Sequence, residues 1–466
     1  MKLNLYNTLT RKIEEFYTLN NDNVVKMYSC GPTVYSYPHI GNMRAYVFAD
    51  LLKRTLILNG YQVTNAINIT DVGHLTSDAD DGEDKMEKEA KKTGKSAYDI
   101  AEFFTTEFFN DYNKLGLLPA SVYPKATDHI IEQIDMIKVL EDKGYTYLTS
   151  DGVYFDTSKF ENYTQLAKLD IEGMDSGKRV KFNEEKKNKT DFALWKFSNP
   201  EENRQMEWDS PWGVGFPGWH AECSAMIMKH LGEQIDIHTG GIDHIPVHHT
   251  NEIAQTESVT DKKFSNFWLH VNFLQLKNLE DDQGKPIKMS KSLGNILTIS
   301  GLEEKGYDPM VVKYFYLSSH YRSELQFNYD LLDSSKNTFV RLQNKIANVR
   351  LNTENSMDSH YLDKIIFEIN NDLNTPNVFA LLQQALNDTI SNEEKLAVIE
   401  LVEKITGLNF DIKFNEIPEE ILQLGDLRLQ AKQNKDWTES DRLRDLIQSK
   451  GYNVKDTKDG FEITLK

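Results

Sequence analysis

Between residues 24 and 70 the hydrophobic period changes twice, and that change limits the possible fold more than any other feature. Val24–Cys30 reads as a short apolar strand. A loop holding Gly31, Pro32, Pro38 and Gly41 follows. From about Asn42 to Leu58, the residues Val47, Leu51 and Leu52 lie on one side of a helix that stops at Gly60. Tyr61–Thr70 then alternates, with Val63, Asn65, Ile67 and Ile69 on one face, as a strand does. Strand, loop, helix and strand in succession predict an α/β fold built on a doubly wound parallel sheet, Rossmann-like in kind.

The later segments extend that plan. Residues 72–96 are highly charged and read as a solvated loop and an exposed helix. Ile100, Phe104 and Phe108 mark one helix, and Ile130, Ile134 and Ile137 mark another that starts near Thr127. GVYFD (152–156) and DFALWK (191–196) look like short strands, and HTGG (238–241) reads as a turn between strand and helix. Phe339, Leu342, Ile346 and Val349 form a helical stripe. A second helix is expected around Ile365, and a third after the break at Asn374-Thr375-Pro376. The last 50 residues or so read as a helix pair and one strand, 460–465. At roughly 100–200 residues per domain, 466 residues predict several units. We expect segments at 1–125, 126–205 (an insertion), 206–333, 334–410 (a helical bundle) and 411–466 (a small α/β domain).

Apolar residues make up 39% of the chain, enough for sizeable cores. No stretch nears the roughly 20 apolar residues that span a bilayer. The start, MKLNLYNTLTRKIEEF, lacks the apolar run of a signal peptide. We therefore expect a cytoplasmic protein with no membrane contact. The net charge of −19 argues against broad non-specific nucleic-acid binding, although a local basic groove is compatible with it. Only two cysteines occur, Cys30 and Cys223. In a reducing compartment a disulfide is not expected, which leaves metal binding or catalysis, with two small buried hydrophobes as the plain alternative.

Three segments carry chemistry. The first is Cys30-Gly31-Pro32-Thr33-Val34-Tyr35 with Pro38-His39-Ile40-Gly41-Asn42, where a strand gives way to a helix. A helix N-terminus offers unpaired N–H groups and a positive dipole end, which suit a triphosphate. Gly41 lets backbone approach a ligand, and His39 can donate to a phosphate oxygen. The second is GKPIKMSKSLGN (284–295), in which Lys288 and Lys291 place two cations on one loop. Either alone is unremarkable, since a two-lysine loop is usually just solvated. The third is a run of potential metal ligands. Six of the 12 histidines fall between His220 and His249, beside Cys223, and His248 and Glu252 stand four apart on one helix face. Thiolate, imidazole and carboxylate all suit zinc.

The His39 segment and Lys288-Met289-Ser290-Lys291-Ser292 together resemble the two signatures of class I aminoacyl-tRNA synthetases. The first departs at Asn42, where histidine is usual. Cys30-Gly-Pro-Thr-Val-Tyr, Gly218-Trp219-His220-x-Glu222-Cys223, Gly240-Gly241 with Asp243, and His248-His249-x-Asn251-Glu252 are similar to the cysteinyl-tRNA synthetases over essentially the whole chain. That resemblance implies one Zn2+ on Cys30, Cys223, His248 and Glu252, binding the substrate thiolate. It implies an amino-acid pocket of Cys30, Thr70, Trp219 and His220. ATP with Mg2+ would meet His39, Gly41, Asn42, Gly241, Asp243, Lys288 and Lys291. The tail resembles the family's anticodon-binding domain, with Lys432 (where arginine is usual), Trp437, Asp441 and Asp456 as contacts. For Trp437 the alternative is packing between the two tail helices. The acidic stretch Asp78–Asp84 and His74 receive no role.

The implied reaction joins L-cysteine to tRNA(Cys) through cysteinyl-adenylate, performed by a monomer. His39, Asn42, Lys288 and Lys291 would be the catalytic groups. Two rivals stand beside it. One is a ligase that passes the same adenylate to a small amine, against which the 411–466 tail argues. The other is a zinc-stabilised RNA-binding protein without catalysis, against which the lysine loop argues. The 126–205 insert shows no second hydrolytic constellation, so no editing site is expected.

Overall fold

The structure is a computed structural model. It describes all residues except 1, 21, 74–83, 169–184, 200, 202–203, 278–296, 413–418, 451, 458–459 and 466. Lys288 and Lys291, together with His74 and residues 78–83, lie outside the described residues. The chain divides into two compact units, Met1–Phe410 and Asp411–Lys466.

At the centre of the larger unit is a four-stranded parallel sheet. Val24–Ser29 pairs with Gln62–Ile67 on one side and with Ile235–Gly241 on the other, and Ser265–Val271 closes the far edge. The helix Ile40–Leu58 connects the first pair, and the helix His248–Thr260 connects the second. Successive connections therefore leave the two middle strands in opposite directions. A crevice opens beyond their carboxyl ends, where open α/β sheets bind ligands.

Three sequence expectations change here. Tyr61–Thr70 does not alternate as a half-exposed strand. Its ladder ends at Ile67, and every residue from Asn65 to Thr70 is buried, because structure covers both faces of a parallel sheet. HTGG is the last part of the strand Ile235–Gly241 rather than a turn; the turn comes at 242–247. The helix begins at Ile40, two residues before the expected start, because His39 caps it. It ends before Gly60, whose φ of +87° suits only glycine comfortably.

Thr146–Thr149, Gly152–Phe155, Phe192–Phe197 and Gly215–Pro217 form an antiparallel sheet. Its last strand runs directly into Gly218 and the helix Trp219–His230. Helices Tyr329–Leu351, His360–Asn370, Thr375–Asn387 and Asn392–Thr406 follow. Phe339, Leu342, Ile346 and Val349 are all buried there. The fourth helix, absent from the sequence reading, opens with a reciprocal cap between Ser391 and Glu394.

Two buried cations tie these layers together. The Arg44 guanidinium donates to the carbonyls of Asn272, Phe273, His320 and Ser323. Burial pushes its pKa down to about 10. The Asp50 carboxylate accepts from Arg54, from Lys313 at 3.1 Å and from the Leu118 N–H at 2.8 Å. The Asp50 and Lys313 side chains are both at 0% exposure.

The smaller unit packs helices Glu419–Gln433 and Trp437–Ser449 on a hairpin of Tyr452–Thr457 and Gly460–Leu465. The sequence reading anticipated only the second of those strands. Among the described residues, no helix is long and apolar enough to cross a membrane.

Candidate active site

The crevice holds a cleft of about 500 Å³. Of the residues singled out by sequence in the larger unit, Cys30, His39, Gly41, Asn42, Thr70, Trp219, His220, Cys223, Gly241, Asp243 and His248 all line it. Glu252 lies behind the wall, fully buried.

Three chain segments meet at the cleft floor. The Cys30 N–H donates to the Thr239 carbonyl across the two middle strands. The next residue, Gly31, donates its N–H to Asn68 Oδ1 at 2.7 Å. A Cβ on Gly31 would sit 1.6 Å from the Asn68 carbonyl oxygen, so glycine is required by close approach. Asn68 Nδ2 donates onward to Thr70 Oγ1 at 2.9 Å.

The helix start forms one rim. His39 Nδ1 accepts from the Asn42 N–H at 3.1 Å, while Asn42 Oδ1 accepts from the His39 N–H at 3.2 Å. This reciprocal cap occupies Nδ1 as an acceptor, so a neutral His39 carries its proton on Nε2. Asn42 thus uses its oxygen in the cap and keeps its NH2 group as a donor. Gly241 lies against its neighbour Asp243, whose Oδ1 a Cβ at 241 would meet at 2.2 Å.

The potential metal ligands converge on the other side. One donor atom each from Cys30, Cys223, His248 and Glu252 lie within 4.8 Å of one another. His248 Nε2 and Glu252 Oε1 are 2.7 Å apart, yet Oε1 has no hydrogen-bond partner among the described residues. With the two sulfurs, these atoms face a common point, as ligands of one cation do. Two sulfurs, an imidazole and a carboxylate brought this close are a donor set that would suit zinc.

The four groups also shift one another's ionisation. Desolvation pushes the Cys30 thiol up, whereas contact with Cys30 holds Cys223 below its ordinary value despite burial. Burial works against ionising Glu252, but His238 and His248 hold its carboxyl well below the usual range. Burial alone would lower His248; Glu252 and Cys223 lift it to about 10.

Sequence reasoning missed the layer behind these groups. His238 Nε2 bonds Glu252 Oε2 at 2.6 Å, and His249 Nε2 approaches Cys30 Sγ at 3.1 Å. His249 in turn contacts His270 at 2.7 Å, and His270 contacts the Thr8 hydroxyl. Such partners orient metal ligands. Cys30, His238, His249 and Glu252 form a second, overlapping donor set. It shares Cys30 and Glu252 with the first, so one ion uses one set or the other. The only available sequence signal was the histidine density. Trp219 stacks on His248 at 4.2 Å and 25°, and His220 Nδ1 lies 2.9 Å from His248 Nδ1. Asp84, the last of the unassigned acidic residues, caps the helix Lys85–Thr93 and pairs with Arg204 at 2.5 Å.

In the smaller unit the tail residues have different ion-pair partners. Asp456 is held by Arg428 through both carboxylate oxygens and by Lys432 at 2.7 Å, which push its pKa down to about 2. Asp441 pairs instead with Arg444 at 3.1 Å. Trp437 is 60% exposed, which sets aside the reading of it as packing between the helices. Arg428 was not foreseen, although it stands one helical turn before Lys432.

Residues 16–337 match the family model described as the class I (C) tRNA synthetase catalytic domain. The chain is 44% identical to cysteine–tRNA ligase 1 of Burkholderia lata, over 99% of this chain and 96% of that protein. It is 41% identical to the cysteine–tRNA ligase of Treponema denticola, over 98% of each. The same figure holds for the cysteine–tRNA ligase of Borreliella burgdorferi, over 99% of each. Among solved structures, Mycobacterium tuberculosis methionyl-tRNA synthetase bound by methionyl-adenylate aligns with a TM-score of 0.54 at 12% identity. That alignment covers 82% of this chain and 90% of the other, a likeness of fold.

Proposed function

The chain belongs to the cysteine–tRNA ligases, within the class I aminoacyl-tRNA synthetases, and from that premise we propose how its own residues charge tRNA(Cys) with L-cysteine. In the first step a cysteine carboxylate oxygen attacks the α-phosphorus of ATP. The bond from that phosphorus to the bridging oxygen breaks, and pyrophosphate leaves. In the second step a terminal ribose hydroxyl of tRNA attacks the adenylate carbonyl, its proton passes to the adenylate phosphate, the bond from the carbonyl carbon to that phosphate breaks, and AMP leaves.

Chemistry of this kind relies on positioning and charge stabilisation. His39 Nε2–H and the Asn42 NH2 donate to phosphate oxygens at the helix start, where the dipole favours negative charge. Gly41 lets the backbone approach them. Lys288 and Lys291 neutralise charge that develops on the leaving pyrophosphate. Gly241 and Asp243 face the adenosine ribose. Cys30, Cys223, His248 and Glu252 would hold zinc, which supplies an acceptor for the substrate's sulfur as a thiolate. Trp219 and His220, stacked and bonded on His248, and the Thr70 hydroxyl complete the amino-acid pocket. Lys432, Trp437, Asp441 and Asp456 of the tail contact the anticodon.

The observation that carries this reading is the convergence of two thiols and an imidazole of the cleft wall with a carboxylate buried just behind it, in the same cleft as the capped helix start. The test is aminoacylation by the full chain, with small amines as competing acceptors. The reading expects cysteine to appear on tRNA(Cys). Transfer to amines with tRNA left uncharged would replace it with the small-molecule ligase.

A further inference from the structure

Asn68 lies among the cleft-lining residues, and its side-chain amide has only one possible orientation. Oδ1 faces the Gly31 N–H at 2.7 Å, and a backbone N–H can only donate. The NH2 group is therefore the end that faces Thr70 Oγ1 at 2.9 Å. An amide nitrogen donates and does not accept, so Thr70 Oγ1 must be the acceptor. The single Thr70 hydroxyl proton then points away from Asn68. No described residue accepts it.

Thr70 cannot relax out of this position. Its N–H donates to the Pro32 carbonyl, and its own carbonyl accepts from the Val34 N–H. Asn68 and Thr70, two apart on an extended segment, project to the same side. They are 2% and 1% exposed, so water satisfies neither well, yet both border the cleft. A buried hydroxyl whose proton has no partner is costly to keep.

We infer that Asn68 is a positioning residue for the amino-acid substrate: its amide makes the Thr70 hydroxyl an obligate donor to an acceptor atom of the bound cysteine. This deepens the proposed function and rests on it. The substrate offers acceptors of the right kind in its carboxylate oxygens and its thiolate, and donation to an anion is the stronger sort of hydrogen bond. The device also favours an anionic group at that spot over any donor.

Asn68→Asp tests it with almost no change of shape. The carboxylate still accepts from Gly31 but must also accept from Thr70, which turns the hydroxyl proton away from the substrate. The assay is cysteine-dependent ATP–pyrophosphate exchange by the full chain, with metal content measured alongside. The cysteine KM should rise on the order of tenfold, the ATP KM should stay within about twofold, and kcat should change far less than the cysteine KM. Placed on a Thr70→Val background, which has no hydroxyl to turn, the same change should alter the cysteine KM by less than about twofold.

Equal costs in both backgrounds would overturn the inference and show that Asn68 acts through Gly31 and Cys30 instead. So would a cysteine KM that Asn68→Asp leaves unchanged. Should Asn68→Asp lose its fold or its metal, the Asn68→Ala and Thr70→Val pair reads the same coupling. A parent protein with no cysteine-dependent exchange would instead refute the proposed function.

Discussion

Replacing Gly31 by alanine probes the contact on which the site geometry depends. The new Cβ would lie 1.6 Å from the Asn68 carbonyl oxygen, 2.6 Å from its carbon and 3.1 Å from its nitrogen. These are backbone atoms, so no side chain can swing aside. In a close-packed interior the two segments must part by more than about 1 Å to restore ordinary contact. Cys30 rides on one segment and Thr70 on the other, and both would move. Misplacing reacting partners by about 1 Å costs on the order of 10²-fold in rate. Forcing atoms into a packed site costs about 1–3 kcal/mol of stability. Gly31→Ala should therefore fold, melt earlier, and lose about 10²-fold in kcat/KM for cysteine-dependent pyrophosphate exchange. Activity within about threefold of the parent, with an unchanged melting curve, would refute the close approach and the account of the cleft floor built on it.

Three further outcomes are expected. Lys291→Ala should slow adenylate formation about 10²–10³-fold in a pre-steady-state assay while leaving thermal unfolding unchanged; a rate within about twofold of the parent removes Lys291 from the reaction. Asp50→Ala leaves the Lys313 ammonium, at 0% exposure, without its carboxylate. It should cost about 3–5 kcal/mol in denaturant unfolding, and adding Lys313→Met should recover much of that; no recovery would show the loss lies elsewhere. Ending the chain at Phe410, the boundary between the two compact units, should preserve cysteine-dependent pyrophosphate exchange and abolish charging of tRNA. Normal charging by the shortened chain would show that the tail is not an anticodon reader.

What the sequence revealed follows from what short-range patterns encode. Periodicity located the first strand and helix and the stripe Phe339–Val349, because one-sided burial leaves a repeat. It misjudged Tyr61–Thr70, where burial on both faces removes the alternation. It also missed the strand Tyr452–Thr457, whose apolar alternation consists of Tyr452 and Val454 alone. Motifs located Cys30, Cys223, His248 and Glu252, although their convergence depends on sheet order, with Cys30 following one middle strand and His248 following the other. His238, His249 and His270 were illegible as a supporting layer. Each touches a partner far away in the chain, and nothing local distinguishes such a histidine from an ordinary buried one. Asn68 was similarly hidden, since the way its amide faces Thr70 is fixed by a backbone N–H more than thirty residues upstream.

On the proposed function, this cleft selects its substrate by sulfur. Cysteine and serine differ by one atom, and shape alone separates such pairs only about 10–200-fold. A thiol with a pKa of about 8.5 ionises readily on a metal, whereas an aliphatic hydroxyl does not. The measurement is ATP–pyrophosphate exchange with cysteine and with serine side by side on the metal-bound protein, together with hydrolysis of seryl-tRNA. The account predicts a preference for cysteine on the order of 10⁴ in kcat/KM, comparable to sites that demand one specific polar group, and no hydrolysis of seryl-tRNA. Efficient activation of serine followed by rapid deacylation would contradict it.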